Sequence, residues 1–148
     1  MNTLDWQAHL VDDDEAIGRL LRDTRRVAVL GIKTAETRQP AYYVPEYAQR
    51  VGLEIVPVPV YYPEATEILG RPVYRTVAAV PGDVDLVNVF RRPRDIDAHV
   101  DDILAKRPKA VWFQSGIVND AAAERFARAG IDVVQDACLM VELRRMGR

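Results

Sequence analysis

The 148 residues carry 20 Lys and Arg against 22 Asp and Glu, a formal net charge of −2. No overall positive field therefore favours nucleic acid or an acidic membrane, and any anion site has to be a local cluster of basic groups. The hydrophobic fraction of 49% and the charged fraction of 28% are those of a soluble globular protein. The length suits one domain that buries roughly two thirds of the surface its unfolded chain exposes. A single cysteine, Cys138, excludes an internal disulfide and fits a reducing compartment, and with two histidines beside it a metal site is not expected. No segment reaches the ~20 apolar residues of a membrane span, and Met1 to Asp5 lacks the basic-then-apolar order of a signal sequence. A cytoplasmic chain is expected.

Asp12 to Glu15 precede Ile17, Leu20 and Leu21, an acidic helix start that predicts a first helix over about 13–23. Arg26 to Leu30 is a short, continuous, β-branched run of the kind buried on both faces of a parallel sheet. Tyr43, Val44, Tyr47, Ala48 and Val51 recur at helical spacing, and Gly52 ends that helix. Glu54 to Val58 is a second strand, shortened by its prolines. Ala65 to Gly70 reads as a helical turn, Pro72 to Tyr74 as a short edge strand, and Thr76 as the cap of a brief helix through Val80. Three more strands follow, at 85–90, 110–114 and 131–135. Between and after them lie helices marked by Ile96 to Leu104, by Ala122 to Ala127 behind an Asn119 or Asp120 cap, and by Leu139 to Met146. This alternation predicts an α/β three-layer sandwich around a mostly parallel sheet of about five strands plus the short edge strand. Residues 1–148 form one domain in this reading, with about 1–12 as an amino-terminal extension.

In such a sheet ligands bind outside the carboxyl ends of the strands. Those ends fall at Gly31-Ile32-Lys33, Val58-Pro59, Phe90-Arg91-Arg92, Gln114-Ser115-Gly116 and Gln135-Asp136. Lys33, Arg38, Arg91 and Arg92 then gather as cations on one rim, suited to phosphate oxygens. Gly31 lets the backbone approach a phosphate-bearing ligand, while the second and third glycines of the dinucleotide fingerprint are missing. Tyr42, Tyr43, Tyr61 and Tyr62 read as packing residues with wet hydroxyls that are also able to stack on a base. Gln114 is a candidate partner for a ligand amide, Gly116 is conformational, and Asn119 is a helix cap. His9 and His99 are placed away from the rim, without a part in chemistry. Cys138 reads as a small buried apolar residue rather than an activated thiolate. No Gly-x-Ser-x-Gly elbow or Walker loop occurs.

Six segments in this order are Val27 to Ile32, Ile55 to Val58, Ile68 to Tyr74, Val87 to Arg92, Val111 to Ile117 with Asn119, and Val134 to Leu139. Together they resemble the stand-alone CoA-binding protein family, whose fold is also the CoA-binding domain of the succinyl-CoA synthetase α subunit. The resemblance implies a Rossmann-like domain with CoA in the crevice at the strand ends. It places the CoA phosphates near Gly31, Ile32, Lys33, Arg38 and Tyr42, the adenosine side along Val58 and Pro59, and a crevice wall at Phe90 and Arg91. The synthetases carry a phosphorylated histidine on further machinery that this chain lacks, so the resemblance implies a non-catalytic CoA or acyl-CoA binding protein. Lys33 stands where relatives carry a small or hydroxylated residue, and Pro59-Val60-Tyr61 where they often carry Asn-Pro. Two other classes stay open. One is an enzyme, either a nucleotide-dependent oxidoreductase or an acyl-transfer protein using Cys138; the other is an interaction module working through a dimer face. CoA is the expected small-molecule partner, with no nucleic acid and no membrane; a homo-oligomer or a partner enzyme is left open.

Overall fold

The computed structural model describes residues 5–148. Five parallel strands form the sheet, in the order β2-β1-β5-β6-β7: β1 Arg26–Leu30, β2 Glu54–Val58, β5 Leu86–Val89, β6 Ala110–Phe113 and β7 Asp132–Val134. The helices are α1 Asp14–Arg22, α2 Pro40–Arg50, α3 Val100–Lys106, α4 Asp120–Arg128 and α5 Leu139–Arg145. Alternate side chains of each strand feed two cores, one per face of the sheet. Ala28, Leu30, Val87, Val89, Val111 and Phe113 pack with Ile103, Ala123 and Phe126 on one side. Val27, Val29, Leu86 and Trp112 pack with Leu21, Val44, Ala48 and Leu143 on the other. Both faces being covered is why the strand sequences are continuously apolar. Each fully buried Val or Leu contributes about 1.5–3 kcal/mol relative to exposure.

Local chemistry sets the boundaries. Asp13 caps α1 by accepting from the Ala16 N–H at 2.8 Å, and Asn119 caps α4 by accepting from Ala122 at 3.0 Å. Pro40 occupies the first turn of α2, so that helix begins three residues before the Tyr43 expected from periodicity. Pro57 is tolerated because β2 is an edge strand. Its carbonyl faces away from β1 and accepts from the Tyr74 N–H at 3.0 Å.

The segment after β2 departs from expectation. Residues 65–70 form no helical turn; β3 Glu67–Ile68 pairs antiparallel with β4 Arg71–Pro72 in a separate hairpin. Thr76 caps a turn by accepting from Ala79 at 3.1 Å, and no helix follows. Within the segment expected as an amino-terminal extension, Leu10 and Val11 dock on the far edge, where Leu10 bridges Val133 and the Val11 N–H donates to the Val133 carbonyl at 2.8 Å. No helix among the described residues is long and apolar enough to cross a membrane.

Candidate functional site

The chain runs from β1 outward to β2, then crosses to β5 on the other side of β1, so the strand order reverses between β1 and β5. That point of reversal opens a crevice between the connections leaving the two strands. Gly31 sits there with φ +87°, and a Cβ on it would lie 2.3 Å from the Phe90 carbonyl oxygen. Only glycine lets the two strand ends approach this closely. The Gly31 N–H donates to Val58 O and the Phe90 N–H to Leu30 O, both at 2.9 Å, which carries the sheet ladder up to the crevice floor.

A crevice of about 360 Å³ lies against this floor. Lys33, Gln39, Pro40 and Ala41 line one side, Phe90 to Pro93 a second, and Gln114 to Ile117 a third. Its volume is at the lower end of the roughly 300–1,000 Å³ usual for small-molecule sites. The first wall owes its shape to two prolines. Pro45, inside α2, has no N–H to give the Ala41 carbonyl, and that carbonyl accepts from the Lys33 N–H at 3.1 Å instead. Pro40 opens the helix at the crevice, where Gln39 makes no side-chain cap, so the positive end of α2 borders the site. The Lys33 ammonium donates to the neutral Gln39 amide oxygen rather than to a carboxylate.

Arg91 and Arg92 form the second wall. The Arg92 Nε donates to Asp95 Oδ2 at 2.7 Å, and that contact holds the Asp95 carboxyl below its ordinary range. Arg91 is only 15% exposed, with one guanidinium nitrogen 3.9 Å from Asp95. Its guanidinium lies 5.8 Å from the Tyr61 ring centroid, a cation–π pairing. Its Nε donates to His99 Nε2 at 3.2 Å. Asp95 is thus the carboxylate paired with both arginines, and the wall keeps a positive excess.

On the third wall, Gly116 takes φ +83° and donates its N–H to Asp136 at 2.7 Å. Gln114 is buried; its Oε1 accepts from Asn88 Nδ2 and from the Leu139 N–H, both at 3.3 Å. Asn88, fully buried in β5, has no hydrogen-bond partner for its Oδ1 among the described residues.

Of the residues the sequence put forward, the crevice gathers Lys33, Phe90, Arg91, Arg92, Gln114 and Gly116, with Gly31 beneath them. The others lie elsewhere. Ile32 and Val58 are core residues, and Pro59 is buried. Arg38 is an exposed left-handed residue closing the 3-10 turn after Thr34. Tyr42 points its hydroxyl at Glu46, 3.3 Å away, and burial together with that carboxylate raises its pKa. Sequence reading missed three contributors. A helix starting at Tyr43 hides the α2 amino end; Tyr61, expected to pack or to stack on a base, instead covers the Arg91 guanidinium; and His99, expected away from the rim, touches Arg91.

A parallel α/β domain with a basic crevice at its strand reversal is the class that this fold and site define. Within it, the CoA binding domain family model matches residues 25–144, and the chain belongs to that family. The uncharacterized protein YneT of Bacillus subtilis is 30% identical over 125 residues, 84% of this chain and 90% of its own. A Thermus thermophilus structure, cell-free ID.343, is 34% identical with a TM-score of 0.83, covering 91% of this chain and 99% of the other. A hypothetical protein from Pyrococcus horikoshii OT3 is 29% identical with a TM-score of 0.83, covering 93% and 94%.

Proposed function

We propose that this protein binds CoA or acyl-CoA without transforming it, the anionic part of the ligand seated in the crevice between Gly31 and Arg91. The observation that carries this reading is the meeting of Lys33, Arg91, Arg92 and the amino end of α2 at one strand reversal. Diphosphate oxygens suit that donor set: an ammonium, forked guanidinium groups and a helix dipole end. Gln114 has its oxygen engaged by the protein, which leaves the amide nitrogen to face an acceptor on the ligand.

Cys138 stands at the N-cap of α5, and no histidine is positioned to act on its thiol among the hydrogen bonds of the described residues. It is part-buried against the core beside Trp112 and Leu139, and His99 is committed to Arg91. Calorimetric titration with CoA tests the reading, with thermal unfolding alongside. At a ligand concentration 100 times the Kd, linkage stabilises the fold by about 2.7 kcal/mol, which raises the melting temperature by several degrees. No heat and no shift at millimolar CoA would sink the proposal.

A further inference from the structure

Arg91 owes its place at the crevice to a group outside it. The segment from Pro93 to His99 is two turns of 3-10 helix, anchored by fully buried Ile96 and Val100. Asn119 clamps the same segment, donating from Nδ2 to the Pro93 carbonyl at 2.9 Å and to Asp97 Oδ1 at 3.2 Å. His99 is therefore held in position, half-buried behind Arg91, with Nε2 toward the Arg91 Nε–H at 3.2 Å.

A guanidinium only donates, so this contact requires an unprotonated Nε2 and a neutral imidazole. With its Nε taken by His99 and its face covered by Tyr61, Arg91 has only its outer nitrogens for the crevice, and their direction is set. We infer that His99 is a positioning residue for anion binding: neutral, it aims Arg91 at the ligand, and protonated, it releases Arg91 and weakens binding. This rests on the CoA reading above and adds a regulator to that site.

The charges facing His99 are Arg91 from the end of β5, Asp95 from the 3-10 turn and Asp102 from α3. Burial, and then Arg91, lower the His99 pKa below the ordinary 6.5, while Asp102 and Asp95 pull the other way. Both carboxylates are already engaged, Asp102 by the N–H groups of Val77 and Ala78 at 2.7 and 2.9 Å, and Asp95 by Arg92. Protonation therefore sets a second cation against Arg91 and removes its acceptor at once.

The test is CoA affinity by calorimetry from pH 8 to pH 5 for the native protein, His99→Gln and His99→Leu, with His99 protonation followed by NMR. The glutamine variant keeps an oxygen acceptor for Arg91 but does not titrate. At pH 8 the native protein and His99→Gln should bind alike, with His99→Leu about tenfold weaker. As the imidazole protonates, the native protein should lose about tenfold more affinity than His99→Gln, which reports the titration of the ligand phosphates alone. Parallel pH profiles for those two proteins, or His99→Gln as weak as His99→Leu at pH 8, would overturn the inference and leave the CoA reading standing. No CoA binding at any pH in any of the three would remove the reading and the inference with it.

Discussion

At the amino-terminal rim of the sheet, Asp85 accepts from the N–H groups of Arg25 and Arg26, both at 2.9 Å, and pairs with Lys109 at 3.3 Å. Arg26 in turn holds Glu54 and the carbonyls of Pro81 and Asp83. At the carboxyl-terminal rim the same residue types are arranged differently: Lys33 meets a neutral amide, and Arg91 and Arg92 share Asp95. Charges at the first rim answer one another and stitch β1, β2 and β5 together. At the second rim the excess positive charge faces an open crevice, where the proposed ligand would complete it. Placement relative to strand direction, more than residue type, separates the structural network from the proposed binding site.

The largest expected effect comes where the two roles coincide. Gly31→Ala drives a Cβ into the Phe90 carbonyl at a left-handed backbone position. A loss of about 3 kcal/mol is expected, from overpacking and backbone strain together. Chemical denaturation measures it, and a loss below about 1 kcal/mol would show that the strand ends separate easily.

Next comes Asp85→Ala, which leaves two backbone donors at the opposite rim without their acceptor. About 2 kcal/mol and a melting temperature lower by roughly 6 °C are expected, with CoA affinity unchanged in the folded protein. Burial pushes Asp85 up, but the donors from Arg26, Arg25 and Lys109 outweigh it and hold its pKa below the ordinary 3.8. Its contribution is therefore present above that pH and lost as pH falls through the lowered value. An acid-unfolding curve that Asp85→Ala leaves unmoved would break the contrast between the rims.

The fold was legible wherever one element's own pattern decided its structure. The bounds of β1 and β2 agree with the expectation to the residue, because a doubly buried parallel strand announces itself as an apolar run. The hairpin at 67–72 was not legible. Two-residue strands carry no periodicity, and its docking depends on β2 being an edge with a free Pro57 carbonyl. At the candidate site, Lys33, Arg91 and Arg92 are legible as crevice-lining cations because they closely follow apolar strands, whereas Arg38 lies on an exposed 3-10 turn. His99 was missed because its approach to Arg91 depends on two 3-10 turns and the Asn119 clamp, and neither leaves a spacing signal.

Arg91 and Arg92 offer the finest version of the comparison, within a single rim. They are sequence neighbours on the same carboxylate, yet the Arg91 side chain is 15% exposed and that of Arg92 63%. Arg91 is fixed by His99 and Tyr61, so its hydrogen bonds to an anion need little further ordering. Arg91→Ala is expected to weaken CoA about tenfold, the worth of a charge-assisted hydrogen bond. Arg92 is held by Asp95 at 2.7 Å, but it is exposed and acts as a screened surface charge. Arg92→Ala should produce only a few-fold loss, and salt separates the two. Raising ionic strength from 0.1 to 1 M shortens the Debye length from about 10 to about 3 Å. The difference between native protein and Arg92→Ala should vanish in that range, while the Arg91→Ala deficit persists. If both deficits fade together, Arg91 acts through long-range charge alone, and its fixed geometry adds nothing to recognition.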